Sequence, residues 1–325
     1  MKTRRLGKTG YEISEIGLGC WQFGGDFGPT TDDTSRETMR AATEAGVTFF
    51  DTADVYGGGR SERVIGGYLK EVDGLTVATK LGRNGEIYAS DFGYDMVRAH
   101  LEQNCENLGV ECVDLIQLHC IPTERLREGD VFAVMDRLQS DGLCKNWGAS
   151  VETIEEAQIC LRHEGLATLQ IIFNLFRQDA VWELFDDAKK ADVGIIVRLP
   201  LASGLLAGKY SKDTDFAESD HRNYNRDGAA FSVGETFGGI PFEKGIDLVE
   251  GMRGMLPPDV PMAQSALRWI LDHDAVSTII AGCSSARQVQ SNARASEMAP
   301  LPTGLHAQLK DYYQKSVRPS IRGGV

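Results

Sequence analysis

Three apolar runs of this chain each end in a titratable side chain. Asp51 closes Val47-Thr48-Phe49-Phe50, Lys80 closes Leu75-Thr76-Val77-Ala78-Thr79, and His119 closes Val113-Asp114-Leu115-Ile116-Gln117-Leu118. Short continuous apolar runs read as strands of a parallel sheet buried on both faces. In alternating strand–helix barrels, the carboxyl edge of such strands is where sites are built. Tyr56 follows Asp51 in a Gly-rich turn. A carboxylate, a phenol, an ammonium and an imidazole around one mouth are the parts of a proton-transfer centre.

Further strand patterns surround these runs. Strands are expected at Ile16–Gly19, Thr48–Asp51, Thr76–Lys80, Val113–His119, Asn146–Ser150, Leu169–Phe173, Gly194–Arg198 and Thr278–Gly282, with a helical pattern after each. Helical stripes are formed by Val97, Leu101, Cys105 and Leu108; by Val131, Val134, Met135 and Leu138; and by Ala263, Ala266, Leu267, Ile270 and Leu271. Capping boxes are expected at Thr34 with Glu37, Thr153 with Glu156 and Ser285 with Gln288. Gly46, Gly109 and Gly142 stand where helices should stop. Residues 2 to 14 read as a hairpin turning at Gly7-Lys8-Thr9-Gly10.

Eight alternating units predict an α/β fold: a (β/α)8 TIM barrel with an N-terminal β-hairpin cap, as one domain over residues 1–325. An open doubly wound sheet would announce itself with G-x-G-x-x-G after its first strand. Here Gly17-Leu18-Gly19-Cys20-Trp21-Gln22 lacks the third Gly. Ser211 to Gly239, after the seventh strand, is polar, Gly-rich and aperiodic, which marks a lid or binding loop.

The formal net charge of -13 repels nucleic acid and anionic membrane, so an anionic cofactor needs a local basic pocket. The first ten residues have no apolar core of a signal peptide, and no apolar stretch is long enough to span a bilayer. Seven irregularly spaced cysteines read as buried thiols in a reducing cytoplasm rather than metal ligands, and no metal site is expected.

The chain resembles the aldo-keto reductase family from the hairpin to about Asn292. The phrases that carry the resemblance are Gly17-Leu18-Gly19-Cys20-Trp21, Phe50-Asp51-Thr52-Ala53-Asp54-Val55-Tyr56-Gly57, Thr79-Lys80, and Asp114-Leu115-Ile116-Gln117-Leu118-His119. Trp147-Gly148-Ala149-Ser150, the run Pro200 to Tyr210, and Gly282, Gln288 and Asn292 continue it. The resemblance implies a nicotinamide-dependent carbonyl reductase that prefers NADP(H), with NAD(H) possible, acting on a small aldehyde, ketone or sugar. It implies Asp51, Tyr56, Lys80 and His119 as the catalytic tetrad. Tyr56 would be the general acid. A free phenol titrates near ~10, and the Lys80 cation is expected to lower that value. Asp51 would aim Lys80, and a neutral His119 would orient the carbonyl oxygen.

The resemblance also implies the cofactor contacts. Cys20, Trp21 and Asp51 lie at the reacting end, where Ser150 and Gln170 would hold the carboxamide. Arg198, Leu199, Pro200 and Leu201 follow the seventh strand, Gly204 to Lys209 would wrap the pyrophosphate, and Gly282, Ser284, Gln288 and Asn292 would hold the adenosine phosphate. Lys209, Arg222, Arg226 and Arg287 are the expected local positive charge.

Three positions depart from the family pattern. Arg198 stands where an aromatic ring usually stacks on the nicotinamide, and its register predicts a guanidinium lying flat against that ring. Val151 replaces an Asn that commonly follows the Ser, which puts one carboxamide contact in question. Ser284 replaces a common basic residue, which weakens the preference for NADP(H). Substrate contacts are expected from Trp21, Tyr56, Tyr88 and His119, with Phe27 and Trp147 as further wall; Trp147 reads equally well as core. The tail Arg318 to Arg322 is expected near the mouth. The competing reading is a nicotinamide-binding regulatory or scaffold protein on the same barrel, as in potassium-channel beta subunits. A lyase or hydrolase would need paired carboxylates or a metal cluster. Oligomeric state is not legible.

Overall fold

Side-chain alternation along the strands builds the molecule from its axis outward. The computed structural model describes residues 1–83, 87 and 92–325. A two-stranded antiparallel ribbon, β1 (Thr3–Arg5) and β2 (Glu12–Ser14), precedes eight barrel strands: β3 (Ile16–Gly19), β4 (Phe49–Asp51), β5 (Thr76–Leu81), β6 (Val113–His119), β7 (Cys144–Ser150), β8 (Thr168–Ile172), β9 (Gly194–Arg198) and β10 (Val276–Gly282). Neighbours pair in parallel in chain order, and β10 closes the ring on β3 with Ile279 opposite Ile16. This is the (β/α)8 barrel that the alternation predicts.

Inside the ring, Phe49, Ala78, Leu115, Ile196 and Ile280 form an apolar plug with Leu6 and Ile13 of the hairpin region. A strand repeats every two residues. The inward positions one repeat closer to the carboxyl edge are therefore Asp51, Lys80, Gln117, Arg198 and Gly282. The same chemistry that seals the floor thus delivers polar groups to the mouth. Arg4 fastens the hairpin from below through the carbonyls of Leu271 (2.6 Å) and Val276 (2.8 Å) and an ion pair with Glu15.

The outward faces pack on helices. Val97, Leu101, Cys105 and Leu108 are buried in the helix Tyr94–Leu108, and Val131, Met135 and Leu138 in Asp130–Ser140. Ala266, Leu267, Ile270 and Leu271 are buried in Met262–Leu271, whereas Ala263 turns to the mouth cavity. Helices end at Glu44, Leu108 and Ser140, just before the three expected glycines.

Two local expectations change. Thr153 and Glu156 close a full capping box, and Ser285 accepts from Gln288 N, but Gln288 turns its own side chain to Ser284 N. Thr34 is not a cap: Thr31, in extended backbone, accepts from Thr34 N, and Asp32 and Asp33 fill the first turn, where the helix dipole favours them. Trp147 belongs to the core. It is fully buried, stacks on Phe132 at 5.9 Å and donates to Asp136 at 2.9 Å, on the helix side of β7.

The loop after β9 carries a short helix, His221–Tyr224, and two single turns, Val233–Glu235 and Phe237–Gly239. It lies over the carboxyl mouth. The seven cysteines are unpaired, and no helix among the described residues is long and apolar enough to cross a membrane.

Candidate active site

Lys80 sits on the barrel axis with 0% exposure, yet none of its three donors is wasted. Its Nζ donates to Asp51 Oδ1 at 2.5 Å, to the Thr52 carbonyl at 2.8 Å and to the Tyr56 hydroxyl at 3.3 Å. Burial works against the ammonium, but Asp51 and Tyr56 outweigh it and its pKa lies above the ordinary lysine value. Asp51 Oδ2 accepts from Gln170 at 2.7 Å and from Gln117 at 3.1 Å. The carboxylate is thereby fully engaged, as a buried charge must be.

Tyr56 reaches this cluster from the loop after β4. Gly57, at φ +62°, lets the loop press against Gly24, since a Cβ on Gly57 would stand 2.6 Å from the Gly24 carbonyl oxygen. That contact locks the Tyr56 turn to the Trp21 turn, and the two rings stack at 5.8 Å. The expected lowering of the phenol pKa is not what the structure gives. Burial raises it, Lys80 pulls it down, Asp51 pushes it up again, and the balance lies above the ordinary value. The resting phenol is therefore protonated.

The His119 and Tyr56 rings meet nearly perpendicular, with centroids 5.9 Å apart. Burial, reinforced by the Arg83 and Lys80 cations, lowers its pKa well below the ordinary histidine value, so the ring is neutral as expected. Its Nδ1 is buried with no partner among the described residues.

A second charged layer lies just above. Glu235, from the lid, is gripped by both Nη atoms of Arg83 (2.6 and 3.2 Å) and pairs with Arg198 Nη1 at 3.0 Å. Burial opposes its charge, but the two guanidinium groups win and hold its pKa below the usual carboxylate range. Glu152 lies 3.7 Å from Arg83, and burial together with Glu235 pushes its carboxyl up to about 7. Cys120, Glu152 and Glu235 bring ligand atoms within 4.8 Å of one another, but the interleaved arginines make this an ion-pair network. Sequence reasoning missed Arg83, Glu152 and Glu235. Gln117 was findable, because it points inward by strand parity two residues before His119.

One continuous cavity of about 930 Å³ runs from Tyr56 and His119, past Ser150, Gln170 and Arg198, along Leu199 to Lys209, to Gly282, Ser284, Gln288 and Asn292. Cys20, Trp21, Pro200, Leu201, Gly204 and Asp51 also line it. The cavity thus brings together the residues expected at the cofactor, apart from Arg226 and from Leu205, Leu206 and Gly208 of the 204–209 run. Ser150 Oγ and Gln170 Oε1 meet at 3.4 Å near its inner end. Leu199, Ala202 and Ser203 hold positive φ angles of 50°, 46° and 54°, a strained turn of the kind found at functional sites. Ser203 Oγ accepts from Phe237 N at 3.1 Å, tying that turn to the lid.

The expected basic residues divide. Lys209 and Arg287 line the cavity. Arg222 also lines it, but its fork is committed to Asp220 and its Nη1 to the Tyr210 hydroxyl. Arg226 packs over Phe242 and is not in the cavity wall. One side of the cavity is an aromatic wall of Trp21, Phe27, Tyr224 and Phe231, with Asp26 accepting from Trp21 Nε1 at 2.9 Å. Tyr88 lies outside the described residues. The tail reaches the lid rather than the reacting groups: Arg322 N donates to the Gly239 carbonyl at 3.0 Å and its Nη1 pairs with Asp227 at 2.6 Å.

Comparison with known proteins agrees with this geometry. The aldo/keto reductase family model matches residues 15–314. An aldo-keto reductase of Bacillus subtilis, YhdN, is 32% identical over 236 residues, covering 69% of this chain and 70% of that protein. The L-galactose dehydrogenase of Arabidopsis thaliana is 26% identical over 305 residues, covering 91% and 88%. The glycerol dehydrogenase structure from Gluconobacter oxydans superposes with a TM-score of 0.78 at 26% identity, over 100% of this chain and 98% of that one.

Proposed function

The chain belongs to the aldo/keto reductase family, and on that premise we propose that it is an oxidoreductase moving hydride between NADP(H) and a small carbonyl or alcohol. One observation carries the reading: Tyr56, Lys80, Asp51 and His119 converge at the inner end of a cavity of about 930 Å³, which has room for a dinucleotide. The cavity fits that cofactor: Ser150, Gln170, Ser284, Gln288 and Asn292 put hydrogen-bonding groups along its wall, and Lys209 and Arg287 put positive charge there. Ser150 and Gln170 would hold the carboxamide, Gly204 to Lys209 the pyrophosphate, and Ser284, Gln288 and Asn292 the adenosine phosphate. Lys209 and Arg287 in the wall support NADP(H) over NAD(H). Bound there, the nicotinamide would supply the hydride.

The side chains do the rest. His119, neutral, orients the carbonyl oxygen. Tyr56, protonated at rest, gives that oxygen its proton as negative charge develops on it. Lys80 stabilises the phenolate left behind, and Asp51 fixes Lys80 in place. Return of a proton from solvent resets the phenol. The wall of Trp21, Tyr224 and Phe231 excludes water and presents flat apolar faces to a small aldehyde, ketone or sugar. The names of the galactose and glycerol dehydrogenases support a small alcohol or its carbonyl partner. We read residues 1–325 as one barrel domain, and seven unpaired thiols support a reducing compartment such as the cytoplasm.

The test is fluorescence titration with NADPH and NADH, followed by nicotinamide absorbance with a panel of aldehydes, ketones and sugars. We expect tighter NADPH binding, turnover on a member of the panel, and a loss of about 10²–10⁴-fold in Tyr56→Phe. Binding with no turnover across the panel, and a Tyr56→Phe protein indistinguishable from the parent, would instead mark a nicotinamide-binding regulatory protein.

A further inference from the structure

Arg198 leaves the end of β9 and crosses above β8. Its Nη2 reaches the Val151 carbonyl at 3.0 Å and Cys120 Sγ at 3.5 Å, on the residues that directly follow Ser150 and His119. Its Nη1 pairs with Glu235 at 3.0 Å, and the side chain is only 9% exposed. Its Nε is buried without a partner among the described residues. The guanidinium is thus stretched across the inner end of the cavity, held on three sides. Arg198 lines the same cavity as Tyr56 and His119, where a ring delivering hydride to a carbon between those two would rest.

We propose that Arg198 makes this site discriminate between the two redox forms of its cofactor, favouring the reduced, uncharged nicotinamide over the oxidised, cationic one. The inference rests on the cofactor reading above and adds to it a selectivity set by one residue. The physical basis is charge. Oxidised and reduced nicotinamides have nearly the same shape and hydrogen-bonding groups, but only the oxidised ring carries a positive charge. A fixed guanidinium repels that form alone, and repulsion across a few ångströms of poorly solvated space is substantial.

The counter-charge is present but incomplete. Glu235 is one buried carboxylate facing two guanidinium groups, those of Arg198 and Arg83. Glu152 is the other carboxylate of the cluster, and with its pKa near 7 it supplies only part of a charge at neutral pH. Lys80 adds a further cation below, already neutralised by Asp51. Two guanidinium groups thus face one carboxylate held charged and one whose charge burial disfavours. Arg198 sets the sign of the selectivity and Glu235 sets its size.

The two residues predict opposite changes, which makes the test sharp. The quantity to measure is the ratio of dissociation constants for NADP+ and NADPH, by intrinsic fluorescence and by competition. Any change in lid closure or packing that affects both forms equally cancels in the ratio. Arg198→Met is expected to lower the ratio about tenfold, the size of a partly compensated charge–charge interaction. Arg198→Lys, which keeps the charge, should stay near the parent. Glu235→Gln removes the compensating carboxylate and should raise the ratio. A tenfold change in the ratio corresponds to about 30 mV in the two-electron potential of the bound cofactor, a second readout independent of turnover. If Arg198→Met fails to fold, Glu235→Gln carries the test by its sign. An unchanged ratio in Arg198→Met, or a fall in Glu235→Gln, overturns the inference while leaving the cofactor reading intact. A parent protein that binds neither form overturns both.

Discussion

Tyr56 is pulled two ways. Burial holds its proton on, and the Lys80 ammonium 3.3 Å away loosens it. That balance suits an acid that stays loaded at neutral pH and gives up its proton only as charge builds on a neighbouring oxygen. Asp54, two residues before it, is a different case. Its Oδ1 accepts from Val55 N at 2.7 Å, but its Oδ2 is buried without a partner among the described residues. Burial, with Glu62 nearby, raises its pKa to about 7. A folded-state pKa above the unfolded value gives stability that is fully present below the ordinary Asp range and lost as pH rises through about 7. Thermal stability should therefore fall between pH 4 and pH 8, and Asp54→Asn should flatten that slope in calorimetry; an unchanged slope would place the titration elsewhere. At this scale the sequence was informative where a polar residue ended an apolar run, as at Asp51, Lys80 and His119. It was silent on Arg83 and Glu235, which meet across 152 positions and carry no local pattern.

Elements position the site through close backbone approaches as much as through side chains. The turn after β3 and the turn after β4 touch at Gly24 and Gly57, and this contact sets where Trp21 and Tyr56 can stand. Gly57→Ala would place a methyl group 2.6 Å from the Gly24 oxygen and strain a φ of +62°. We expect a destabilisation of about 1–3 kcal/mol together with a fall in kcat/KM larger than the change in cofactor affinity. Equal losses in both would mean that the contact supports the whole cavity rather than the Tyr56 turn. Strand identity was readable because apolar runs of barrel length have few other uses, and Ile16–Gly19, Val113–His119 and Gly194–Arg198 have the bounds their patterns predict. Helix starts were less readable. Thr31 and Thr34 compete for one cap, and only backbone geometry decides between them. Trp147 was ambiguous for a related reason: strand parity places it outward, but an aromatic near a strand end looks the same in sequence whether it faces core or mouth.

The charge of the whole molecule opposes the cofactor proposed for it. A net charge of -13 repels a dinucleotide phosphate, so binding depends on a few local cations. Lys209 and Arg287 lie in the cavity wall, whereas Arg222 and Arg226 are spent holding the lid together. Arg287→Ala is therefore expected to weaken NADPH binding by about tenfold and NADH binding by much less, with the difference shrinking at high salt. Equal weakening of both would remove Arg287 from the extra phosphate. The lid is clasped from three directions: by Arg83 on Glu235, by Ser203 on Phe237 and by Arg322 at Gly239 and Asp227. That arrangement could not be read from an aperiodic, polar segment, because each clasp is a long-range pairing of residues that are common on surfaces.

The central claim is that Asp51, Tyr56, Lys80 and His119 act as one unit on one reacting oxygen, and a double-mutant cycle tests it most directly. Tyr56→Phe, Lys80→Met and the double variant would be compared by kcat/KM for carbonyl reduction, with cofactor affinity measured alongside. Groups that work as a unit give strongly non-additive losses, so the double variant should be no more than about threefold slower than the slower single variant. Losses that multiply would show two groups acting separately and would contradict the account.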